Sequence, residues 1–249
     1  MPEPAAGPVR LSVVIPAYNE EERIVSTLRA IIAYLRKQPY ASEVIVVDDG
    51  SRDRTVERAA DALGGVDRHA ILRFPKNRGK GAAVKEGVKH AEGEYILFSD
   101  ADLSTPIEEV EKFWPGVDEG CDVVIGSRAL AGADIQVRQS FFRELMGKTF
   151  NLFVRSLVLK GIPDTQCGFK LFRRDAAKDV FARVAIDGFS FDVEALYLCR
   201  GRRVRQVPVV WRNSPQSKVR IVRSSLGMLA DLFKIRRLHR KDDKQRTGL

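Results

Sequence analysis

The chain has 249 residues, 44% of them hydrophobic, which is enough for one large domain with a substantial core. Its three cysteines form no Cys-x-x-Cys pair and no histidine cluster has zinc spacing, so a disulfide framework and a zinc site are disfavoured and a reducing compartment is favoured. The formal net charge of +9 is uneven: residues 1–119 carry 16 Lys and Arg against 21 Asp and Glu, whereas residues 120–249 carry 26 against 12, which predicts an anionic partner such as a phosphate, an anionic lipid or a nucleic acid.

The first half of the chain alternates short apolar runs with segments of helical periodicity. Strands are predicted over 11–16, 44–48, 70–74 and 95–99, and helices over 20–37, 53–63 and 81–91. The strands are apolar on both faces, which is typical of a parallel sheet covered by helices on both sides. Ligands bind such sheets beyond the carboxyl ends of the strands.

Polar or glycine-rich clusters stand at those ends. They are Tyr18-Asn19-Glu20, Asp48-Asp49-Gly50-Ser51, Asn77-Arg78-Gly79-Lys80-Gly81 and Asp100-Ala101-Asp102. The two carboxylates of the last cluster are costly to bury unless a cation meets them, and a divalent cation that holds a diphosphate would do so. The alternative is a turn in which Asp102 caps a helix that begins near Pro106.

The second half begins with a predicted strand over 122–126, followed by Ser127 and Arg128. Two amphipathic helices are predicted over 139–160 and 224–241; the second carries Leu226, Leu229, Leu232 and Phe233 on one side. Most amphipathic helices pack against a core, but this mixture of Phe and Leu with Lys and Arg also suits a membrane interface. No apolar run approaches the roughly 20 residues of a transmembrane helix.

Seven short motifs, in this order, resemble those of the inverting family-two glycosyltransferases with the GT-A fold. They are Val14–Glu20, Val46–Ser51, Asn77–Gly81, Asp100–Pro106, Gly126–Arg128, Asp164–Phe172 and Phe189–Glu194. The last three are similar to the polyprenyl-phosphate branch, which includes dolichyl-phosphate glucose and mannose synthases. The sequence Asp-Leu-Ser-Thr-Pro resembles the glucosyltransferase side. The resemblance covers residues 11–220.

The resemblance implies an α/β architecture, the Rossmann-like GT-A fold, with a mostly parallel central sheet flanked by helices and with C-terminal amphipathic interfacial helices. The implied organisation is a disordered leader (1–9), a catalytic domain (10–222) with a nucleotide-binding half (10–119) and an acceptor half (120–222, including the helix 139–160), and a basic C-terminal helix and tail (223–249). Without a signal peptide or a membrane span, the expected location is the cytoplasmic face of a membrane, as a peripheral protein.

The resemblance also places the nucleotide at the first strand ends. The base and ribose are assigned to Pro16, Tyr18, Glu20, Val47 and Asp49. Asp49 suits this role because a carboxylate can accept a hydrogen bond from the imide N–H of uracil, while Asp48 is expected to be structural. Gly79 and Lys80 fit a loop at which the backbone approaches the nucleotide closely.

The acidic pair is implied to form the metal site. In the family the first aspartate, here Asp100, reaches towards the ribose, and the second, here Asp102, binds Mg²⁺ or Mn²⁺ through the diphosphate, with Ala101 between them. Many mannosyl relatives place a glutamine two residues after the second aspartate as a further metal-side ligand. Ser104 stands at that position here and is assigned to the metal with Asp100 and Asp102.

A lipid phosphate acceptor is mostly dianionic near neutral pH, because its second pKa is about 6, so it needs positioning and charge neutralisation rather than a strong base. Arg128 matches the family's first phosphate-binding arginine. Arg143 is our choice for the second and Arg138 the alternative, since a guanidinium grips phosphate at two points. Gly147 stands where some relatives have a serine.

Five further positions are carried over. Gln166 is expected to contact the donor sugar or phosphate. Arg212 and Lys218 resemble a flexible basic segment that closes on the diphosphate. Asp192 and Glu194 lie where relatives that use sugar acceptors place their base. In this chain both are expected to bind sugar hydroxyls or to orient the basic loop, and for Asp192 the alternative is an ordinary acid at the start of a helix.

We therefore expect metal-dependent, inverting transfer of glucose from UDP-glucose to a polyprenyl or dolichyl phosphate at a membrane surface, without a nucleic-acid partner. GDP-mannose is the alternative donor, and a sugar hydroxyl with Asp192 or Glu194 as base is the alternative acceptor. A nucleotide-sugar pyrophosphorylase usually begins with a glycine-rich loop that this chain lacks, and a basic binding module has no use for four such loops. A homodimer is left open.

Overall fold

The computed structural model describes residues 7–137, 149, 151–212 and 221–240. The strands are β1 (Leu11–Ala17), β2 (Ser42–Asp48), β3 (His69–Arg73), β4 (Tyr95–Ser99), β5 (Val123–Ser127), β6 (Asp134–Val137), β7 (Phe169–Arg173), β8 (Val204–Pro208) and β9 (Val210–Arg212). The helices are α1 (Ile24–Leu35), α2 (Thr55–Leu63), α3 (Lys80–His90), a 3₁₀ helix (Ile107–Phe113), α4 (Trp114–Asp118), α5 (residues 151–157), α6 (Arg174–Arg183), α7 (Phe191–Leu198) and α8 (Ile221–Leu238).

Seven strands form the central sheet in the order β3-β2-β1-β4-β7-β5-β8. Neighbouring strands are parallel except that β7 runs antiparallel to both β4 and β5. The predicted mostly parallel sheet is confirmed. Because β7 is reversed, its beginning lies at the edge where the parallel strands end, and Ser99 pairs with Phe169 there.

Helices cover both faces of the sheet, because β1, β2 and β4 bury apolar side chains on each side. One core layer joins the sheet to α3, α6 and α7 and includes Val14, Phe98 and Phe191. The other joins it to α1, α2 and the 3₁₀ helix and includes Ile15 and Phe113. The polar segments that follow the strands are thus held on a rigid base.

Two short strands, β6 and β9, pair in parallel as a second sheet. The backbone N–H of Arg212 in β9 donates to the carbonyl of Ser104 (2.7 Å), and that of Val210 donates to the Glu109 carboxylate (2.9 Å). The beginning of the predicted basic segment is therefore tied to the loop that follows β4.

The helix predicted over 224–241 is present as α8 with different bounds. Leu232 and Ile235 are fully buried on its inner side. Phe233, which the sequence analysis places on the same side as Leu232, instead faces outward and is 62% exposed. Within the described ranges no helix is both long and apolar enough to cross a membrane.

Several expectations concern residues that the structure does not describe. They are the start of the leader (1–6), most of the first part of the helix 139–160, and the tail beyond residue 240. In the described part of 139–160, residues 151–157 are helical, and Leu152 and Phe153 are exposed.

Candidate functional site

The carboxyl edge of the sheet collects the predicted site residues. Asp48 ends β2, Asp100 follows β4, and Arg128 follows β5. The reversed strand β7 brings residues 164–168 to the same edge, and the backbone N–H of Asp100 donates to the carbonyl of Gly168 (3.2 Å). The acidic pair and the first predicted phosphate-binding arginine therefore share one edge.

A hydrogen bond from α1 and one within the loop hold the loop Asp100–Ser104. The Thr27 hydroxyl in α1 donates to the carbonyl of Ala101 (2.6 Å), and the backbone N–H of Ser104 donates to Asp102 Oδ1 (3.0 Å). A Cβ on Gly168 would lie 2.1 Å from Asp100 Oδ2, so only glycine lets the Asp100 carboxylate sit against β7. The 3₁₀ helix that follows Pro106 has no side-chain cap, and the Asp102 carboxylate accepts from Ser104 instead. The alternative in which Asp102 caps that helix is therefore wrong.

Two cationic side chains approach the acidic pair. Lys80 Nζ lies 2.5 Å from Asp100 Oδ1, and Arg23 Nη1 lies 3.9 Å from Asp102 Oδ2. Burial alone would lower the pKa of Lys80, but Asp100 and Asp192 outweigh burial and raise that pKa, so the ammonium stays charged. Burial, and then the charge of Asp100, raise the pKa of Asp102, which marks a carboxylate with incompletely compensated charge.

The donor set of this loop fits a hard divalent cation. Asp100, Asp102 and Ser104 offer only oxygen atoms, and Mg²⁺ is commonly bound through one or two carboxylates together with substrate phosphates. Among the residues described, no three His, Cys, Asp or Glu side chains cluster as a metal site by themselves. With two carboxylates, the loop would need further oxygen ligands to hold such a cation.

Asp49 is engaged by the glycine-containing loop that follows β3. Its carboxylate accepts hydrogen bonds from the backbone N–H of Arg78 (2.6 Å) and Gly79 (2.9 Å) and from the Asn77 side chain (2.9 Å). Burial raises the pKa of Asp49 against these donors. Asp48 is fully buried and accepts from the backbone N–H of Ser51 (3.2 Å), as expected of a structural residue. The base-binding role of Asp49 stays a prediction.

The other residues predicted to bind the base and ribose differ in how far their side chains are exposed to solvent. Tyr18 is 39% exposed beyond β1, and Glu20 forms a two-point ion pair with Arg23 (2.7 and 2.8 Å). Pro16 and Val47 are neighbours in the β1–β2 register, and both are buried. The Val47 side chain packs in the core, so it does not face a ligand.

Arg128 is fixed from two sides. Asp164 accepts from Arg128 Nε (2.8 Å), Nη2 (2.8 Å) and the backbone N–H (2.9 Å), while the Trp211 ring centre lies 5.4 Å from the guanidinium carbon. Burial works to raise the pKa of Asp164, but Arg128 outweighs it and holds that pKa below the ordinary value. The backbone N–H of Gln166, itself half-buried, donates to the same carboxylate (3.3 Å).

Arg212 is at this edge as well, and its Nε donates to Gln136 Oε1 (2.8 Å) in the neighbouring strand β6. Arg143, its alternative Arg138, Gly147 and Lys218 lie outside the described residues. Their predicted roles stay predictions.

The two acids of the Phe189–Glu194 motif do not face an open acceptor site. Asp192 is 3% exposed and pairs with the fully buried Lys170 (2.6 Å). Glu194 is fully buried, and its carboxylate accepts from the backbone N–H groups of Ala185 (3.0 Å) and Ile186 (2.8 Å). The Glu194 carboxylate is therefore used inside the core and does not face a sugar hydroxyl, while its expected influence on the basic loop, most of which lies outside the described residues, stays a prediction.

Sequence reasoning assigned no role to four residues that shape the site. Arg23 follows Glu20 by three positions, a spacing at which ion pairs form on helices and at their starts, so a local signal existed. Asp164 lies in a quoted motif, but its pairing with Arg128 spans 36 residues. Thr27 and Trp211 carry no local signal, because their contacts arise only when distant elements pack together.

Known proteins share this sequence and fold. The model of glycosyl transferase family 2 matches residues 12–181. The dolichyl-phosphate beta-glucosyltransferase of Dictyostelium discoideum is 36% identical over 92% of this chain and 74% of its own length. The human dolichyl-phosphate beta-glucosyltransferase is 38% identical over 91% of this chain and 75% of its own length. The Saccharomyces cerevisiae dolichyl-phosphate beta-glucosyltransferase is 36% identical over 91% of this chain and 74% of its own length.

Solved structures share the fold at lower identity. Glucosyl-3-phosphoglycerate synthase from Mycobacterium tuberculosis, in complex with Mn²⁺, uridine diphosphate and phosphoglyceric acid, superposes with a TM-score of 0.63 at 22% identity, covering 92% of this chain and 78% of that one. Mannosyl-3-phosphoglycerate synthase from Rubrobacter xylanophilus gives 0.67 at 20%, covering 95% and 75%. The family match and the relatives show that this chain belongs to glycosyl transferase family 2 and is a glycosyltransferase.

Proposed function

We propose that the chain transfers glucose from UDP-glucose to dolichyl phosphate or a related polyprenyl phosphate, with inversion at the anomeric carbon. The observation that carries this proposal is the meeting of two charge systems at one sheet edge. An acidic pair, Asp100 and Asp102, faces Lys80, and beyond it Arg128 is held in one orientation by Asp164. The names of relatives at 36–38% identity support the choice of glucose and dolichyl phosphate.

The donor half of the proposal rests on the loop Asp100–Ser104. Asp102, with Ser104 beside it, would hold Mg²⁺ or Mn²⁺ against the diphosphate, and such a metal neutralises charge on the departing uridine diphosphate. Lys80 lies 2.5 Å from Asp100 and stays protonated, so it can add a second positive charge near the leaving group. The complexes of the structural neighbours with uridine diphosphate and Mg²⁺ or Mn²⁺ agree with this choice.

The acceptor half rests on Arg128. Asp164 occupies its Nε and Nη2 atoms, so the Nη1 side of the guanidinium is the one that can meet an acceptor phosphate. A phosphate dianion needs no general base, and the attack of its oxygen in line with the departing diphosphate would give a β-linked product.

A sugar hydroxyl is the less favoured acceptor. Such an acceptor requires a base that can reach it. Asp192 is locked in a buried ion pair with Lys170, and Glu194 is fully buried. GDP-mannose remains the alternative donor, and the transfer assay described for this proposal therefore includes both donors.

Peripheral binding to a membrane is the third part of the proposal. The outward side of α8 presents Phe233, Lys234 and Arg237, and Leu152 and Phe153 are exposed on α5. Aromatic and basic side chains on one helix face suit an anionic lipid interface. Sedimentation with phosphatidylserine vesicles should be weakened in Phe233→Ser, and unchanged sedimentation would remove this part.

The test is a transfer assay with radiolabelled UDP-glucose or GDP-mannose, a short polyprenyl phosphate and Mg²⁺ or Mn²⁺. We expect a glucosylated lipid phosphate that depends on the metal. Transfer only from GDP-mannose would show that the proposed donor is wrong. The absence of transfer to the lipid phosphate from either donor would overturn the proposal.

A further inference from the structure

The buried side chains of Glu194 and His239 lie away from the sheet edge, but their contacts lead to it. We infer that they are positioning residues of the donor site. Through this buried pair, α8 fixes the segment in which the loop after β3 enters α3 (the loop Gly79–Gly81) and so sets the affinity for the nucleoside diphosphate. The ligand in this inference rests on the proposed function, and the link from α8 to the loop is added to it.

The loop Gly79–Gly81 packs tightly against the backbone of residues 186–187. A Cβ on Gly79 would lie 2.3 Å from the carbonyl oxygen of Asp187, and one on Gly81 would lie 2.5 Å from that of Ile186. The backbone N–H of Gly81 donates to the Asp187 carbonyl (2.7 Å). Any shift of residues 186–187 therefore moves the loop, and with it the Lys80 ammonium that lies against Asp100.

Glu194 in turn fixes residues 185–186. One carboxylate oxygen, Oε2, accepts hydrogen bonds from the backbone N–H groups of Ala185 (3.0 Å) and Ile186 (2.8 Å). Glu194 is fully buried, and hydrogen bonds to a buried carboxylate are strong because water does not compete for them. The position of the Glu194 carboxylate therefore determines the position of this segment.

His239 holds the other oxygen of that carboxylate. Its Nε2 lies 2.7 Å from Glu194 Oε1, and its ring lies 6.0 Å from that of Tyr197 in α7. His239 directly follows α8 and is 8% exposed. The pair thus ties the end of α8 to the body of the protein, 45 residues away in sequence.

α8 is well placed to exert this effect. Its inner side packs into the core through Leu232 and Ile235, while its outer side carries the exposed Phe233. The docking of α8 and the loop Gly79–Gly81 share one chain of contacts: His239, Glu194, residues 185–187, then Gly81. Loosening the first contact should therefore weaken the last, and a coupling of this kind typically changes affinity by about threefold to tenfold.

The test compares three variants of the full chain. His239→Phe keeps the ring against Tyr197 but removes the donor, and His239→Gln returns an N–H at a similar distance. Arg236→Ala is the matched control, because Arg236 is exposed on the same turn. The readouts are the dissociation constant for uridine diphosphate with Mg²⁺ by titration calorimetry, amide hydrogen exchange at Gly81 and Ala82, and the melting temperature.

We expect His239→Phe to weaken uridine diphosphate binding about threefold to tenfold and to speed exchange at Gly81 and Ala82, with His239→Gln near wild type and Arg236→Ala unchanged. A lower melting temperature with unchanged affinity and unchanged exchange at Gly81 would overturn the inference, since the pair would then only stabilise the fold. If His239→Phe does not fold, His239→Asn, which shortens the donor, carries the same expectation.

The outcome for the proposed function stays separate. If the wild-type chain binds no uridine diphosphate, the proposed donor is wrong. Exchange at Gly81 and Ala82 in His239→Phe still decides whether α8 controls the loop, because that readout needs no ligand.

Discussion

The carboxylate of Asp164 holds the guanidinium of Arg128 at two points, with both nitrogen–oxygen distances at 2.8 Å. Asp164 is 2% exposed, and Arg128 is the main cation that compensates its charge. The pair fixes the direction in which Arg128 can meet an anion. Arg128 thus owes its orientation to a residue 36 positions further along the chain.

Replacing Asp164 should therefore harm both stability and the acceptor site. In Asp164→Asn we expect a loss of about 1.5–3 kcal/mol of unfolding free energy, because a hydrogen-bonded charge is removed from a buried site. The KM for the lipid phosphate should rise more than that for the donor. Asp175→Asn is the control, since Asp175 pairs with Arg173 (2.6 Å) at an exposed site and should cost less than about 1 kcal/mol. An equal cost in both variants would contradict this account.

The same pair predicts a pH dependence. Arg128 keeps the pKa of Asp164 below its ordinary value, so the folded state holds fewer protons than the unfolded state in acid. The stabilisation is fully present above the unfolded pKa of about 3.9 and is lost as the pH falls through the lowered folded pKa. Urea unfolding between about pH 5 and pH 3 should show a steeper loss in wild type than in Asp164→Asn. Parallel curves would argue against the pair as the source.

Asp102→Asn tests the metal role. We expect activity to fall at least about 100-fold, because even residues that only support metal ligands cost 10- to 100-fold. The affinity for uridine diphosphate should also lose its dependence on Mn²⁺. Asp61→Asn, at an exposed position of α2, serves as control. Metal-dependent binding that survives in Asp102→Asn would exclude Asp102 as the ligand.

Lys80→Met tests the second cation at the acidic pair. Methionine keeps the apolar stem near Phe191, whose ring centre lies 5.9 Å from Lys80 Nζ, but removes the charge. We expect the donor KM to rise about tenfold, in line with the loss of one charged hydrogen bond, with little change in the acceptor KM. Lys89→Met, exposed at the end of the same helix, should have no effect. A donor KM that does not change would show that Lys80 serves only the fold.

The sequence predicts the frame of the site well, for a local reason. Short β-branched runs such as Val44–Val47 that alternate with helical segments favour buried strands, and strand-end loops in such sheets meet at one edge. The apolar pattern alone therefore brings Asp48, Asp100 and Arg128 to the same edge, where the folded chain has them.

The reversed strand β7 and the buried partners were not predictable in this way. Phe169–Arg173 contains two charged residues in five, unlike the continuous apolar runs of the parallel strands, and its direction is set only by pairing with β4 and β5. Glu194 stands in the largely apolar helix α7, but the partner of its Oε1, His239, follows α8 and lies 45 residues further along the chain. Phe233 follows the apolar period of the helix but faces outward. Among the described side chains of α8, those of Leu232 and Ile235 are the fully buried ones, and they face the core instead.

The central claim is that a phosphate, rather than a hydroxyl, attacks the donor sugar at this edge. It is tested most directly by offering the wild-type chain two acceptors of equal chain length, a polyprenyl phosphate and the corresponding polyprenol, with UDP-glucose and Mg²⁺. The account predicts glucosyl transfer to the polyprenyl phosphate only, with release of uridine diphosphate. Equal transfer to the polyprenol, or transfer to a sugar hydroxyl without transfer to the phosphate, would contradict it.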